Sequence, residues 1–241
     1  MALLNWRVQK LDITTSTNDE VRRAAAAGEV EGFAVVAEQQ TAGRGRQDRV
    51  WESPKGNLYC SVLLKPNDMP RTAGLYSFVV ALAVRDTLRH LLPESVLTLK
   101  WPNDVLANGK KISGILLEVA GDILIVGVGI NVASYPGATL YPATSLVAEG
   151  AKSTDLTELL NRFLESLNIW HPRLPSDGFQ PVREAWLAHA QKGAMTVRLP
   201  RETVQGTFGG LDENGCLRLL LADGAERSIS TGDVLFVSKE L

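Results

Sequence analysis

The stretch VLTLKWPNDVLANGKKISGILLEVAGDILIVGVGINV, residues 96–132, decides the fold. It is a series of short β-branched and apolar runs broken by turn dipeptides. Asn108-Gly109 is a strong two-residue hairpin signal, and Gly121-Asp122 is a second. Consecutive strands joined by such turns form an antiparallel meander. Outward from it, Leu58–Leu64 and Phe33–Gln39 read as further strands, and Gly74 to Leu92 as a long apolar helix stopped at Pro93. Residues 17–27 read as a short helix with Gly28 at its end, and Thr17 with Glu20 has the spacing of a capping box. Two more helices are expected near Thr154–Trp170 and Val182–Gln191. Strands in meander with helices before and after predict an α+β fold on a mixed, largely antiparallel sheet.

After Gly193 the texture changes. Met195–Leu199, Thr203–Leu211, Cys216–Leu221, Glu226–Ser230 and Val234–Val237 are short strands separated by turns such as Asp212-Glu213-Asn214-Gly215. A module of this kind predicts a small SH3-like β-barrel leaning on the larger unit. The expected division is 1–191 and 192–241.

The chain has 241 residues, 45% hydrophobic and 22% charged, which excludes disordered, collagen-like and disulfide-scaffold classes. Lys and Arg number 25 against 27 Asp and Glu, a formal charge of −2, so a protein devoted to nucleic-acid phosphates is disfavoured. Two distant cysteines, Cys60 and Cys216, and three scattered histidines, His90, His171 and His189, give no zinc-ligand spacing. The histidines read as ordinary helix and surface residues, and Cys60, in an apolar run, as a buried small residue. No secretory segment or membrane span is legible, so a reducing cytoplasmic compartment is expected.

Four segments carry chemistry. In Thr41-Ala-Gly-Arg-Gly-Arg-Gln-Asp-Arg49, glycines at alternate positions suggest positive φ and close approach to a ligand. The interleaved guanidinium forks suit a phosphate or carboxylate. The same loop reads equally as a solvated basic loop, and it matches neither standard phosphate-loop pattern. In Lys100-Trp-Pro-Asn-Asp104, Asp104 faces Lys111 across the Asn108-Gly109 turn. A cation and a carboxylate there form either a catalytic pair or a cross-strand pair on a wet face. Gly127-Val-Gly-Ile-Asn131 is an apolar strand whose glycines mark close approach or a bulge. Thr14-Thr-Ser-Thr-Asn18 reads as a helix cap or as a carbonyl-binding helix start, and Gln40 shares that ambiguity.

In this order and spacing, Ser16-Thr17-Asn18, Gln40, Gly43-Arg-Gly-Arg46, Trp51, Lys100-Trp-Pro-Asn-Asp104, Lys111, Gly114-Ile-Leu and Gly127-Val-Gly-Ile-Asn131 resemble the biotin protein ligases. The resemblance covers nearly the whole chain and implies a class II synthetase-like ligase domain. It implies activation of biotin with ATP and Mg²⁺ to biotinyl-5′-AMP, then transfer to a lysine of a biotin carboxyl carrier protein, such as an acetyl-CoA carboxylase subunit. Carried over by motif, Ser16, Thr17, Asn18 and Gln40 hold biotin, with Arg44, Gly45, Arg46, Lys111 and Gly114 completing that site. The loop through Arg44, Gly45 and Arg46 closes over the adenylate, and Trp51 packs near the adenine. Asn103 and Asp104 sit by the phosphates, with Asp104 also an expected Mg²⁺ ligand, and Gly127, Ile130 and Asn131 line the nucleotide pocket. Arg46, Lys111 and Asp104 are the expected catalytic residues. Ser16 opens the catalytic motif near the chain start, so a ligase without the winged-helix repressor domain of larger members is expected. A homodimer is left open, and a lipoate or octanoate ligase, or a non-catalytic binder, are the alternatives.

Overall fold

A computed structural model describes residues 3–69, 71–137, 139, 141–152 and 155–236. The larger sheet has seven strands in the order β1-β2-β3-β7-β6-β5-β4. They are β1 (Arg7–Thr14), β2 (Phe33–Gln40), β3 (Leu58–Leu64), β4 (Leu97–Lys100), β5 (Asp104–Ala107), β6 (Lys110–Ala120) and β7 (Ile123–Ile130). All pairs are antiparallel except β1 with β2, which is parallel. The meander of residues 96–132 thus supplies four neighbouring strands. Its turns follow the sequence signals: Asn108 and Gly109 take φ of 48° and 72°, and Gly121 takes 63°. β1 carries no hydrophobic alternation, because this edge strand is largely exposed on both faces. Sequence reading therefore passed over it.

Helices cover both faces of this sheet. Even-numbered β3 and β7 residues (Leu58, Cys60, Val62, Leu64, Leu124, Val126, Val128 and Ile130) join the main core with α2 (Tyr76–Leu88) and α3 (Leu156–Trp170). α2 is shorter than its apolar run suggested. Asp155 caps α3, accepting hydrogen bonds from the Thr157 and Glu158 amides; the expected start at Thr154 lies outside the described residues. On the opposite face, α1 (Thr17–Ala26) sets Val21 against Phe33, Val35, Leu63 and Ile125. Gly28 follows its end at φ 101°. A short α4 (Arg173–Asp177) precedes α5 (Phe179–Ala188), which begins a turn earlier than expected.

The C-terminal strands are β8 (Ala194–Arg198), β9 (Thr203–Leu211), β10 (Leu217–Leu220), β11 (Glu226–Ile229) and β12 (Asp233–Phe236). They form an antiparallel sheet in the order β11-β10-β9-β8-β12. Among the described residues no ladder joins β11 to β12, so the expected barrel is an open sheet here; Val237 lies outside them. Its inner face does lean on the rest, since Met195, Val197, Leu211, Leu217 and Leu219 belong to the same core as Phe78 and Trp186. Trp101 Nε1 donates to the Gly215 carbonyl (3.0 Å), tying the Trp-Pro-Asn-Asp turn to this sheet. No helix among the described residues is long and apolar enough to cross a membrane.

Candidate active site

The pleat of β6 and β7 determines where a ligand can sit. Gly114 and Gly129 are direct cross-strand partners, and Gly127 is two residues before Gly129 on the same face. These glycines face away from the main core and leave the sheet surface bare. The Trp51 indole lies on that platform: a Cβ at Gly129 would come within 2.5 Å of it, and one at Gly114 within 2.9 Å. Beside them opens a cavity of about 340 Å³. Its walls bring together Ser16, Thr17, Asn18, Gln40, Arg44, Gly45, Arg46, Trp51, Asn103, Asp104, Lys111, Gly114, Gly127 and Asn131. Of the residues expected at the site, Ile130 is absent from the lining. One step along the strand from Gly129, it must point to the opposite face, and it is fully buried in the main core.

The start of α1 is built as a polar network, not as a capping box. Ser16 holds the N-cap position without a side-chain cap, and Glu20 instead accepts from Thr14 Oγ1. Thr17 donates through its amide (2.9 Å) and its hydroxyl (3.1 Å) to Gln40 Oε1, whose Nε2 donates to Ser53 (2.9 Å). Ser61, fully buried on β3, lies 2.7 Å from Thr17 Oγ1 and 2.6 Å from Asn18 Oδ1. Asn18 Nδ2 donates to Glu118 (2.9 Å). Sequence reading missed Ser53, Ser61 and Glu118, although a serine inside the apolar run Leu58–Leu64 signals a buried polar group needing partners.

The three loop arginines have different fates. Arg44 is a fork on Asp19 (2.9 and 2.6 Å), with Glu118 at 3.5 Å, so its guanidinium is spent on protein carboxylates. Hydrogen bonding to Asp19 holds its pKa above the ordinary arginine value. Arg49 pairs with Asp233 on β12. Arg46 donates to two neutral oxygens, Asn103 Oδ1 and Thr231 Oγ1, each at 3.3 Å, and makes no ion pair among the described residues. Desolvation lowers its pKa. The loop glycines act differently from expectation. Positive φ falls on Gln47 and Asp48 at the tip, and Gly43 is needed because a Cβ would meet Ser53 Oγ and the Trp51 carbonyl at 2.5 Å.

Asp104 is buried between two lysines, Lys111 Nζ at 2.6 Å and Lys100 Nζ at 2.9 Å. The Lys111 contact has ion-pair distance but not hydrogen-bond alignment, since Asp104 Oδ1 has no hydrogen-bond partner. Burial raises the carboxyl's pKa, but the two ammonium groups outweigh it and hold it well below the usual carboxylate range. The triad carries a net positive charge. With both oxygens beside lysines, and no group of three His, Cys, Asp or Glu able to hold a metal among the described residues, Asp104 does not fit its expected role as a Mg²⁺ ligand. Asn103 is held by Nδ2 to the Ile115 carbonyl (2.6 Å). Asn131 directs Nδ2 to the Thr144 carbonyl (2.9 Å), a backbone staple at the cavity wall. Asn57, also missed, accepts the amides of Val132, Ala133 and Ser134 and turns the chain out of β7.

Cys60 and His171 lie away from the cavity. Cys60 faces the main core, and burial pushes its thiol up to about 12. His171 corrects the surface reading: it is buried, with Tyr76 Oη 3.2 Å from Nδ1 and Glu31 3.4 Å from Nε2.

A bare apolar platform beside a polar helix start and an uncompensated cationic cluster suits the joining of an organic acid to a phosphate, which defines an acid-activating ligase. Residues 11–133 match the Biotin/lipoate A/B protein ligase family, and residues 195–237 match the Biotin protein ligase C terminal domain. The chain is 36% identical over 239 residues to the biotin–[acetyl-CoA-carboxylase] ligase of Paracoccus denitrificans, covering 92% of this chain and 98% of the relative. It is also 36% identical over 246 residues to the protein of the same name from Mycobacterium tuberculosis, covering 95% and 89%. The biotin protein ligase from Aquifex aeolicus, solved in complex with biotin and ATP, aligns with a TM-score of 0.82 at 30% identity, over 95% of this chain and 97% of that one. The chain belongs to the biotin protein ligase family.

Proposed function

We propose that this protein condenses biotin with ATP to biotinyl-5′-AMP and pyrophosphate, then transfers biotin to a lysine of a biotin carboxyl carrier domain. The observation that carries the reading is the contrast among the loop arginines: Arg44 and Arg49 are neutralised by carboxylates, whereas Arg46, among the described residues, donates only to neutral oxygens at the cavity wall. Attack of the biotin carboxylate on the α-phosphate brings two anions together and builds charge on the phosphoryl oxygens. Arg46 and Lys111 are the protein groups able to stabilise it. The network of Ser16, Thr17, Asn18 and Gln40 offers donors and acceptors for a ureido group, with Gly114 and Gly127 leaving room for its ring system. ATP enters as its magnesium complex.

The reading takes residues 1–191 as the ligase unit and 192–241 as a module whose Asp233 anchors the closing loop. It includes no DNA binding, in keeping with the formal charge of −2 and with two of the three loop arginines being neutralised. It places the protein in the reducing cytoplasm, where the free thiols Cys60 and Cys216 persist. An acyl transferase using a cysteine nucleophile is disfavoured, because Cys60 is buried on the far side of the sheet with a raised pKa.

ATP–pyrophosphate exchange tests the reading with biotin, lipoate and octanoate supplied in turn. Exchange with biotin is expected; exchange only with lipoate or octanoate would reassign the substrate, and none at all would leave a binder. Arg46→Gly removes the one loop arginine that makes no ion pair among the described residues and should let the adenylate leave before transfer. Promiscuous biotinylation of added albumin is the expected result, and labelling confined to the carrier domain would refute the gatekeeping role of Arg46.

A further inference from the structure

Five side chains at the cavity are linked by successive contacts: the Tyr141 ring, the Lys100 ammonium, the Asp104 carboxylate, the Lys111 ammonium and the Trp51 ring. Lys100 Nζ lies 3.9 Å from the Tyr141 centroid and 2.9 Å from Asp104 Oδ2. Lys111 Nζ lies 2.6 Å from Asp104 Oδ1 and 5.3 Å from the Trp51 centroid. Each cation is thus bounded by the shared carboxylate on one side and an aromatic ring on the other. Lys100 is almost fully buried, so its ammonium depends on these few partners. A ring face supplies part of what water no longer does.

Tyr141 is itself fixed at two levels. Its hydroxyl donates to the Gly109 carbonyl (3.0 Å) at the turn between β5 and β6. The segment behind it is zipped to the other lysine: the Lys111 amide donates to the Pro142 carbonyl (2.7 Å), and the Thr144 amide to the Lys111 carbonyl (2.9 Å). Residues 141–144 therefore place both lysines, one through a ring face and the other through its backbone.

Building on the ligase reading above, we propose that Tyr141 is a positioning residue for biotin activation, its ring holding Lys100 against Asp104 so that Lys111 stays aimed at the reacting carboxylate and phosphate. Without the ring, Lys100 gains freedom to leave Asp104, and the carboxylate, already 2.6 Å from Lys111, then spends its charge on that ammonium alone and weakens its hold on the substrate anions. The polar start of α1 is untouched by this change, so acid binding and chemistry should separate.

The test compares Tyr141→Leu and Tyr141→Phe with wild type in biotin-dependent ATP–pyrophosphate exchange. Tyr141→Leu should lower kcat about 5- to 30-fold while the KM for biotin stays within about twofold. Tyr141→Phe keeps the face and loses only the Gly109 tether, so it should recover most of the loss. Equal losses in both variants would assign the effect to the tether, and a Tyr141→Leu enzyme matching wild type would remove any role; either result overturns this inference alone. A wild-type protein without biotin-dependent exchange would overturn the ligase reading and this inference with it.

Discussion

Lys111→Ala is expected to lower biotin-dependent ATP–pyrophosphate exchange by about 100- to 1,000-fold, the scale of losing one preorganised donor to a developing oxyanion. Lys111 is half of the cationic clamp on Asp104 and lines the cavity beside Arg46. Its removal subtracts one positive charge from a site that must hold a carboxylate and a phosphate together. It also takes the triad of Lys100, Asp104 and Lys111 from net positive to neutral. Structure should survive, because Lys100 still pairs with Asp104. The pH profile offers a second readout. In the wild type the Asp104 carboxyl is held well below its ordinary range, so the triad remains charged through mildly acidic solution. With one ammonium gone the carboxyl shifts back upward, so the change in residual activity that accompanies protonation of Asp104 should occur at a higher pH than in wild type. Near-normal exchange by this variant would remove Lys111 from the chemistry.

Gly127→Ala is expected to raise the KM for biotin about 100-fold, equivalent to about 2.7 kcal/mol of binding. The new methyl would overlap Asn18 Oδ1, and that amide cannot swing aside freely. Ser61 holds its oxygen at 2.6 Å and Glu118 its nitrogen at 2.9 Å. Moving Asn18 breaks at least one hydrogen bond in a buried network and leaves a polar group unsatisfied, at a cost of about 1–3 kcal/mol. The methyl also fills cavity space beside the helix start. Titration of biotin in the exchange assay, with thermal unfolding as a control, separates a binding defect from an unfolded protein. An unchanged KM would mean that biotin does not occupy the Asn18 end of the cavity.

The fold was legible wherever local chemistry and long-range packing agree. Asn108-Gly109 and Gly121-Asp122 specify turns through backbone conformation alone, so the three-strand run β5-β6-β7 follows from the sequence. β1 was invisible because an exposed edge strand needs no apolar pattern; its order comes from the ladder with β2. The Asp104–Lys111 pairing was legible from the hairpin, and Lys100 could have been added, being four residues before Asp104 and immediately before the turn. Ile130 parts from the rest of its motif because the two-residue period of a strand turns its side chain to the face opposite Gly129. Arg44 could not be told from Arg46 by type or spacing. Only the position of Asp19, one turn into α1, shows which guanidinium is already satisfied.

The loop between β2 and β3 is fastened asymmetrically. Toward β2, Arg44 grips Asp19 with both prongs, reinforced by Glu118, and all three side chains are two-thirds or more covered. Toward β3, Arg49 is half exposed and reaches a single carboxylate on the C-terminal sheet, Asp233. Salt weakens the second fastening more than the first. A loop so attached has a stronger fastening toward α1 and a weaker one toward the C-terminal sheet. The weaker fastening lies on the side where Asp233, Val234 and Leu235 of the C-terminal sheet join the cavity wall.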